Sequence, residues 1–253
     1  MMPSSGNEQE QRAPMAATEG EPRDHVSPDA RNRFRDDLIR LEEQAMGGLD
    51  LVVSQLDRAL EALNYQDIEL AGMVAADDDQ IDGRYLEVHQ GALSLLGRHP
   101  PTADDLRLLA ALLHIIRCIE RMGDQCANMA KLVPLSGYEQ PKDVVILEAI
   151  EKMGISARQQ VLQAKEAFRT RHISLARDLV RQDREVNRFN REIFRRAVDI
   201  GDDADMREWA MFMVLVARCL ERIGDNTVDI AEQTAFVVTG LFTEFEHAHG
   251  DQD

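Results

Sequence analysis

The sequence predicts an all-α fold: two tandem three-helix bundles related by an internal repeat, with six long helices. Three observations lead there. Residues Cys118 to Lys131 (CIERMGDQCANMAK) return 101 positions later as Cys219 to Glu232 (CLERIGDNTVDIAE), identical at six of fourteen positions. A repeat of this kind marks one architecture used twice. Aromatic residues are only 5% and charged residues 30% of the chain, a mix that suits long helices and suits strands poorly. Apolar residues recur near every 3.5 positions over long stretches, which is bundle spacing.

Each element follows from local signals. Residues 1–27 are rich in Ser, Gly, Glu, Gln and Pro without periodicity, and read as a disordered tail. Ser27 and Pro28 read as N-cap and first helical residue. The helix they open runs to about Leu63, carrying Phe34, Leu38, Leu41, Ala45, Leu49, Val52, Leu56 and Leu60. After the turn Asn64-Tyr65-Gln66, a second helix covers about Asp67 to Leu96. Pro100 and Pro101 break the chain, and Thr102 with Asp105 forms a capping-box-like start to a third helix ending near Leu132. That helix is apolar almost all round from Leu106 to Ile119, so it belongs at the centre. Residues 134–140 read as a linker. Helices four (142 to about 169), five (172 to about 200) and six (204 to about 239) follow, with Trp209, Phe212, Leu215 and Val216 in the core half of the last. Residues 241–253 read as a loose tail. Ala59 to Leu63 matches Ala164 to Phe168, and Asp78 to Asp82 matches Asp183 to Asn187, both at an offset of 105. The repeats are therefore placed at 28–133 and 141–240, and short connections make consecutive helices antiparallel.

The chemistry concentrates in the repeated segment. At about 100° per residue, Glu221, Asp225, Asp229 and Glu232 fall within roughly a quarter of the helix circumference. The same line carries Ala210, Val214 and Ala217 upstream, an apolar face that packs on other helices. In the first copy, Glu120, Asp124 and Asn128 continue the line of Leu106, Leu109, Leu113 and Ile116. Carboxylates stacked on such a face repel one another, so arginines, lysines or a bound metal must compensate. Gly123 and Gly224, inside both helices, each cost about 0.5–1 kcal/mol relative to alanine. Their presence in both copies predicts close approach of a neighbouring helix or an ion.

Composition excludes several classes. A net charge of −17 and a pI near 4.8 argue against a nucleic-acid surface and against direct binding to anionic lipid. No stretch approaches the roughly 18 apolar residues of a spanning helix, and Met1 to Glu10 lacks the features of a secretory signal, so a cytoplasmic protein is expected. Cys118, Cys126 and Cys219 form no disulfide framework and read as small core residues; no CxxC or Cys/His pattern suggests zinc.

At this point the chain resembles the PhoU family of phosphate-uptake regulators. The features that carry the resemblance are Glu120-Arg121-Met122-Gly123-Asp124 and Glu221-Arg222-Ile223-Gly224-Asp225. They are joined by Pro101 to Arg107 and by the acidic stretches at Asp78 and Asp183. The resemblance extends from about Arg33 to Val238. It implies a cytoplasmic negative regulator of phosphate uptake and of the phosphate-starvation response. The implied partners are the ATPase subunit of the phosphate ABC transporter and the phosphate-sensing histidine kinase. It also implies metal, iron or zinc in some members, on E(D)xxxD carboxylates, which here are Glu120, Asp124, Glu221 and Asp225, with Asp229 one turn on. Glu232, Asp78, Asp82 and Asp183 extend the candidate set.

The two copies differ. Asp229 and Glu232 lengthen the second row, whereas Asn128 and Lys131 stand at those places in the first, where the Lys131 ammonium can replace a cation. The expectation is that the second repeat holds a divalent or trivalent cation more tightly; oxygen-only ligands suit Mg²⁺, Mn²⁺ or iron. The alternative is ion pairing with Arg218, Arg222 or a neighbouring arginine and no metal. Two rival functions stay open: a PhoU-like metal-binding adaptor for a different transporter or kinase, and, more remotely, a carboxylate-bridged metalloenzyme. The latter needs a Glu-x-x-His motif on two helices, and in this sequence that spacing occurs only near the C-terminus, as in Glu244 to His247. No catalytic residue is assigned, the chain is read as a non-enzyme, and a homodimer is left open.

Overall fold

The computed structural model describes residues 28–98, 100–137 and 142–245. The tail expected over 1–27 with its Ser27 N-cap, residues 138–140 of the expected linker and residues 246–253 lie outside the described residues. The helices are α1 (Pro28–Tyr65), α2 (Ile68–Ala76), α3 (Asp78–Arg98), α4 (Ala103–Leu132), α5 (Val144–Thr170), α6 (Ile173–Val198) and α7 (Ala204–Thr239), with a 3₁₀ turn at Val133–Leu135. No strand occurs among the described residues.

Helix starts obey the local sequence. Asp67, Asp143 and Asp203 each accept a hydrogen bond from the backbone N–H three residues on, at 2.9, 3.1 and 3.0 Å. Such a cap contributes about 1 kcal/mol. Thr102 and Asp105 form the reciprocal box: the Asp105 N–H donates to Thr102 Oγ1 at 3.3 Å and the Thr102 N–H to Asp105 Oδ2 at 3.1 Å. Gly240 ends α7 in the left-handed conformation, φ 74°, its N–H donating to the Phe236 carbonyl at 2.8 Å.

The second expected helix is broken at Asp77. The Asp77 N–H still donates to the Met73 carbonyl, but the Gln80 N–H closes a tighter turn on the Asp77 carbonyl at 3.0 Å. The Asp77 carboxylate is held by Arg58 of α1 and by Gln80. The acidic run Asp77-Asp78-Asp79 thus sits at the N-terminus of α3, where the helix dipole favours negative charge.

α1, α2–α3 and α4 form one bundle; α5, α6 and α7 form the other, and α4–α7 and α1–α5 contacts join them. The α4 core face is Leu109, Leu112, Ile115, Ile116, Ile119 and Met122, with Trp209, Met213, Val216, Leu220 and Ile223 doing the same on α7. Each such side chain contributes about 1.5–3 kcal/mol on full burial. α1 and α5 run antiparallel and close together. A Cβ on Gly154 would come within 2.6 Å of Leu60 Cδ1, and Asp50–Lys165, Asp57–Arg158 and Glu42–Arg171 pair across the seam at 2.6, 2.9 and 2.7 Å.

Three expectations need correction. Leu106 is 50% exposed at the start of α4, so the all-round apolar face begins only beyond it. Leu215 is 49% exposed and lines an outer groove with Phe194 and Val214 between α6 and α7, because the partners of the α7 core face lie on its other side. Residues 241–245 are not loose: the Phe245 N–H donates to Glu232 Oε1 at 2.7 Å, and the Phe236 and Phe242 rings meet edge to face. All three cysteines are buried, as expected of small core residues.

Candidate functional site

The first repeat gathers carboxylates from two helices. Glu120 and Asp124 are four residues apart on α4, so they share a face. The N-terminal turns of α3 set Asp78 and Asp82 against them, and Gln55 of α1 closes the group, its Nε2 3.5 Å from Asp78 Oδ1 and 3.2 Å from the Val74 carbonyl. Gly123 permits this meeting. A Cβ there would lie 2.9 Å from Asp78 Oδ1 and 2.9 Å from Ile81 Cδ1, so the glycine marks where α3 touches the α4 backbone.

Electrostatics follow from the crowding. Burial pushes the Asp78 carboxyl above its ordinary range; Gln55 and Lys131 pull against this, while Asp124 and Asp82 reinforce it. Burial likewise pushes Glu120 up, opposed by Arg117 and Arg121 and helped by Asp124 and Asp82. Glu120 Oε1 accepts from Arg117 Nη1 at 2.7 Å. Glu120 Oε2 and Gln55 Oε1 are buried without a hydrogen-bond partner.

The second repeat builds the same pocket with fewer charges. By the repeat offsets Gln160, Asp183, Asn187, Gly224, Glu221 and Asp225 take the places of Gln55, Asp78, Asp82, Gly123, Glu120 and Asp124. Asp183 is 4% exposed and accepts from Asn187 Nδ2 at 2.8 Å. A Cβ on Gly224 would meet Asp183 Oδ1 at 2.9 Å and Gln160 Oε1 at 3.1 Å. Both amide atoms of the fully buried Gln160, and Asn187 Oδ1, are without a hydrogen-bond partner. Glu221 pairs with Arg218 one turn back.

The expected four-carboxylate row on α7 does not act as one site. Asp229 turns toward α4, where Cys118 Sγ stands 4.0 Å from its Oδ2, and Glu232 is buried beneath the residues that follow α7. The helical angle alone placed them beside Asp225, but α7 passes from one neighbour to another along that face. The two extra carboxylates that set the second row apart therefore do not gather with Glu221 and Asp225. The first pocket has four carboxylates opposed by Lys131, and the second has three with Asn187 in place of the fourth.

The donor atoms here are of the kind a hard cation takes, but among the described residues no three of these carboxylates bring ligand atoms within 4.8 Å of one another. The pockets offer carboxylate and amide oxygens only, and several of those oxygens are buried with no other partner. Asp78, Asp82, Glu120 and Asp124 would hold it in the first repeat. Sequence reasoning missed Gln55 and Gln160; the signal was available, since both sit at the same repeat position on helices that face α3 and α6.

No helix is long and apolar enough to cross a membrane among the described residues. The fold resembles solved structures: PhoU from Streptococcus pneumoniae (TM-score 0.77, 24% identity, 84% of this chain and all of that one) and PhoU from Pseudomonas aeruginosa (0.75, 28%, 82% and all). The chain is 30% identical over 196 residues to the phosphate-specific transport system accessory protein PhoU homolog of Zymomonas mobilis, covering 77% of this chain and 81% of that protein. To the Escherichia coli K12 accessory protein PhoU it is 28% identical over 217 residues, 85% of this chain and 87% of that one. The PhoU domain family model matches twice, over residues 48–133 and 150–234. With both repeats matched and the glycine-centred pockets repeated at the same offsets, the chain belongs to the PhoU family.

Proposed function

We propose that this protein is a cytoplasmic accessory protein of phosphate-specific transport, a non-enzymatic adaptor that restrains uptake and holds the starvation response off when phosphate is plentiful. It would do so by binding the transporter ATPase subunit and the sensor histidine kinase. The observation that carries this is the match of both repeats, over more than four fifths of the chain, to proteins named as accessory to phosphate-specific transport. The absence of a spanning helix among the described residues fits a partner that works from beside the membrane. An adaptor needs contacts that differ between the states of its partners, and long rigid helices joined at two seams can present such surfaces without chemistry of their own.

Radiolabelled phosphate uptake in phosphate-replete cells tests it. Deletion of the gene is expected to raise the rate, and wild-type complementation to restore it. An unchanged rate after deletion would move the assignment to a different transporter or kinase.

A cation in the carboxylate pockets is part of the proposal, favoured by the buried oxygens of Gln55, Glu120, Gln160 and Asn187 that have no other partner. Iron, Mn²⁺ or Mg²⁺ bound there would offset part of the charge on Asp78, Asp82, Glu120 and Asp124 and so draw α3 toward α4. Equilibrium dialysis with Mn²⁺ should show larger loss for Asp124→Asn than for Asp225→Asn. Equal loss, or none, contradicts the ranking.

A further inference from the structure

We infer that His114, Cys118 and Asp229 form a second, chemically different cation site of the zinc class, bridging the two repeats. His114 and Cys118 are four residues apart on α4 and share one face. Asp229 comes to them from α7, and the three ligand atoms lie within 4.8 Å of one another, with Cys118 Sγ and Asp229 Oδ2 at 4.0 Å. A tetrahedral zinc with bonds of about 2.0–2.3 Å holds its ligand atoms roughly 3.3–3.7 Å apart. Closing that difference takes rotation of the half-buried Asp229 carboxylate toward Cys118 and of the exposed His114 ring toward both.

The donor set decides the metal. A thiolate with an imidazole selects a borderline-soft ion such as Zn²⁺ over Mg²⁺ or Mn²⁺, which separates this site from the oxygen-only pockets. Three protein ligands leave a fourth position, and the exposed imidazole puts it on the solvent side for a water. As the sulfur–metal bond forms, the Cys118 thiol releases its proton to solvent. The charges balance: Arg117 and Arg121 act on Cys118 from one sign, Asp229 and Glu232 from the other, so thiolate plus dication adds a single positive charge. Because two ligands belong to the first repeat and one to the second, a bound ion cross-links α4 to α7 at the seam. The repeat-equivalent positions are Leu215, Cys219 and Asn128, which offer neither imidazole nor carboxylate. One such site follows among the described residues, with Cys219 as a built-in control.

The test is Co²⁺ titration of the chelator-treated full chain, read by the thiolate-to-cobalt charge-transfer band. One equivalent is expected to saturate the band, and Zn²⁺ to displace it. Cys118→Ser should abolish the band, and His114→Ala and Asp229→Asn should each weaken binding at least tenfold. His114 is exposed, so its variant keeps the fold, which far-ultraviolet circular dichroism checks. The Cys126→Ser/Cys219→Ser double variant should keep the band, and Asp124→Asn should leave it untouched while altering Mn²⁺ binding. The proposal is overturned by no band in the wild type, by a band that survives Cys118→Ser, by wild-type affinity in Asp229→Asn, or by a band lost in the double variant.

Discussion

Replacing Gly224 with alanine sets two effects against each other. In an open helix the added methyl group stabilises by about 0.5–1 kcal/mol through backbone entropy. Here the new Cβ would lie 2.9 Å from Asp183 Oδ1 and 3.1 Å from Gln160 Oε1. Asp183 is buried and tied to Asn187, so it cannot swing into water. Overpacking costs about 1–3 kcal/mol, and weakening a buried hydrogen bond to a charged group adds roughly 1.5 kcal/mol. The net is destabilisation of about 1.5–4 kcal/mol, or a fall in Tm of roughly 3–16 °C at about 2–4 °C per kcal/mol. Gly83 of α3 has no atom within 4 Å of its would-be Cβ, so Gly83→Ala should raise Tm by about 2 °C. Thermal unfolding of both variants, with Asp183→Ala and the Gly224→Ala/Asp183→Ala double, completes the experiment. The double should be less destabilised than the sum of the singles, since removing the carboxylate opens room for the methyl group. If Gly224→Ala stabilises as Gly83→Ala does, Asp183 does not press on α7 and the pocket geometry is wrong.

Other outcomes follow from the same structure. Asp78 has its folded pKa raised above 3.8, chiefly by burial, so its favourable contribution is complete below that value and is lost as pH rises through the folded pKa; Asp78→Asn should be more stable than wild type at neutral pH and equal to it in acid, as read from urea midpoints. Asp178 is the opposite case: Arg181, Gln182 and Gln163 hold it down to about 2, so the stability it adds is present above 3.8 and lost as pH falls toward 2. Asp178→Asn should cost about 1 kcal/mol at neutral pH, reduced from a buried-pair value by exposure, with the cost vanishing toward pH 2 in the same measurement. Asp50→Asn with Asp57→Asn removes two ion pairs from the α1–α5 seam; the loss should be about 1 kcal/mol at low salt and shrink in about 1 M salt, where the Debye length is about 3 Å.

Local features were legible in the sequence and distant ones were not. The capping box at Thr102 and Asp105 was legible because it depends on residues within one turn. Gly123 and Gly224 announced a close approach because a helix-interior glycine has a cost that something must offset. The break at Asp77 was hidden, since the apolar period of α2 continues into α3 and Arg58, which joins Gln80 in holding the Asp77 carboxylate, lies nineteen residues earlier. Asp229 and Glu232 were misplaced for a related reason. A helical wheel gives a residue's angle on its own helix, whereas the neighbour covering that angle changes over the three turns from Glu221 to Glu232. His114 and Cys118 show the same limit. Their spacing is visible, but Asp229 lies 111 residues beyond Cys118 and joins them only when α4 meets α7.

The central claim is that this chain is the restraining accessory protein of a phosphate circuit. Alkaline phosphatase activity in phosphate-replete cells lacking the gene tests it most directly, with complementation by wild type and by Asp124→Asn at matched protein levels. The account predicts high activity after deletion and full repression by wild type, with repression lost or weakened in Asp124→Asn. Low activity in the deletion strain would contradict it.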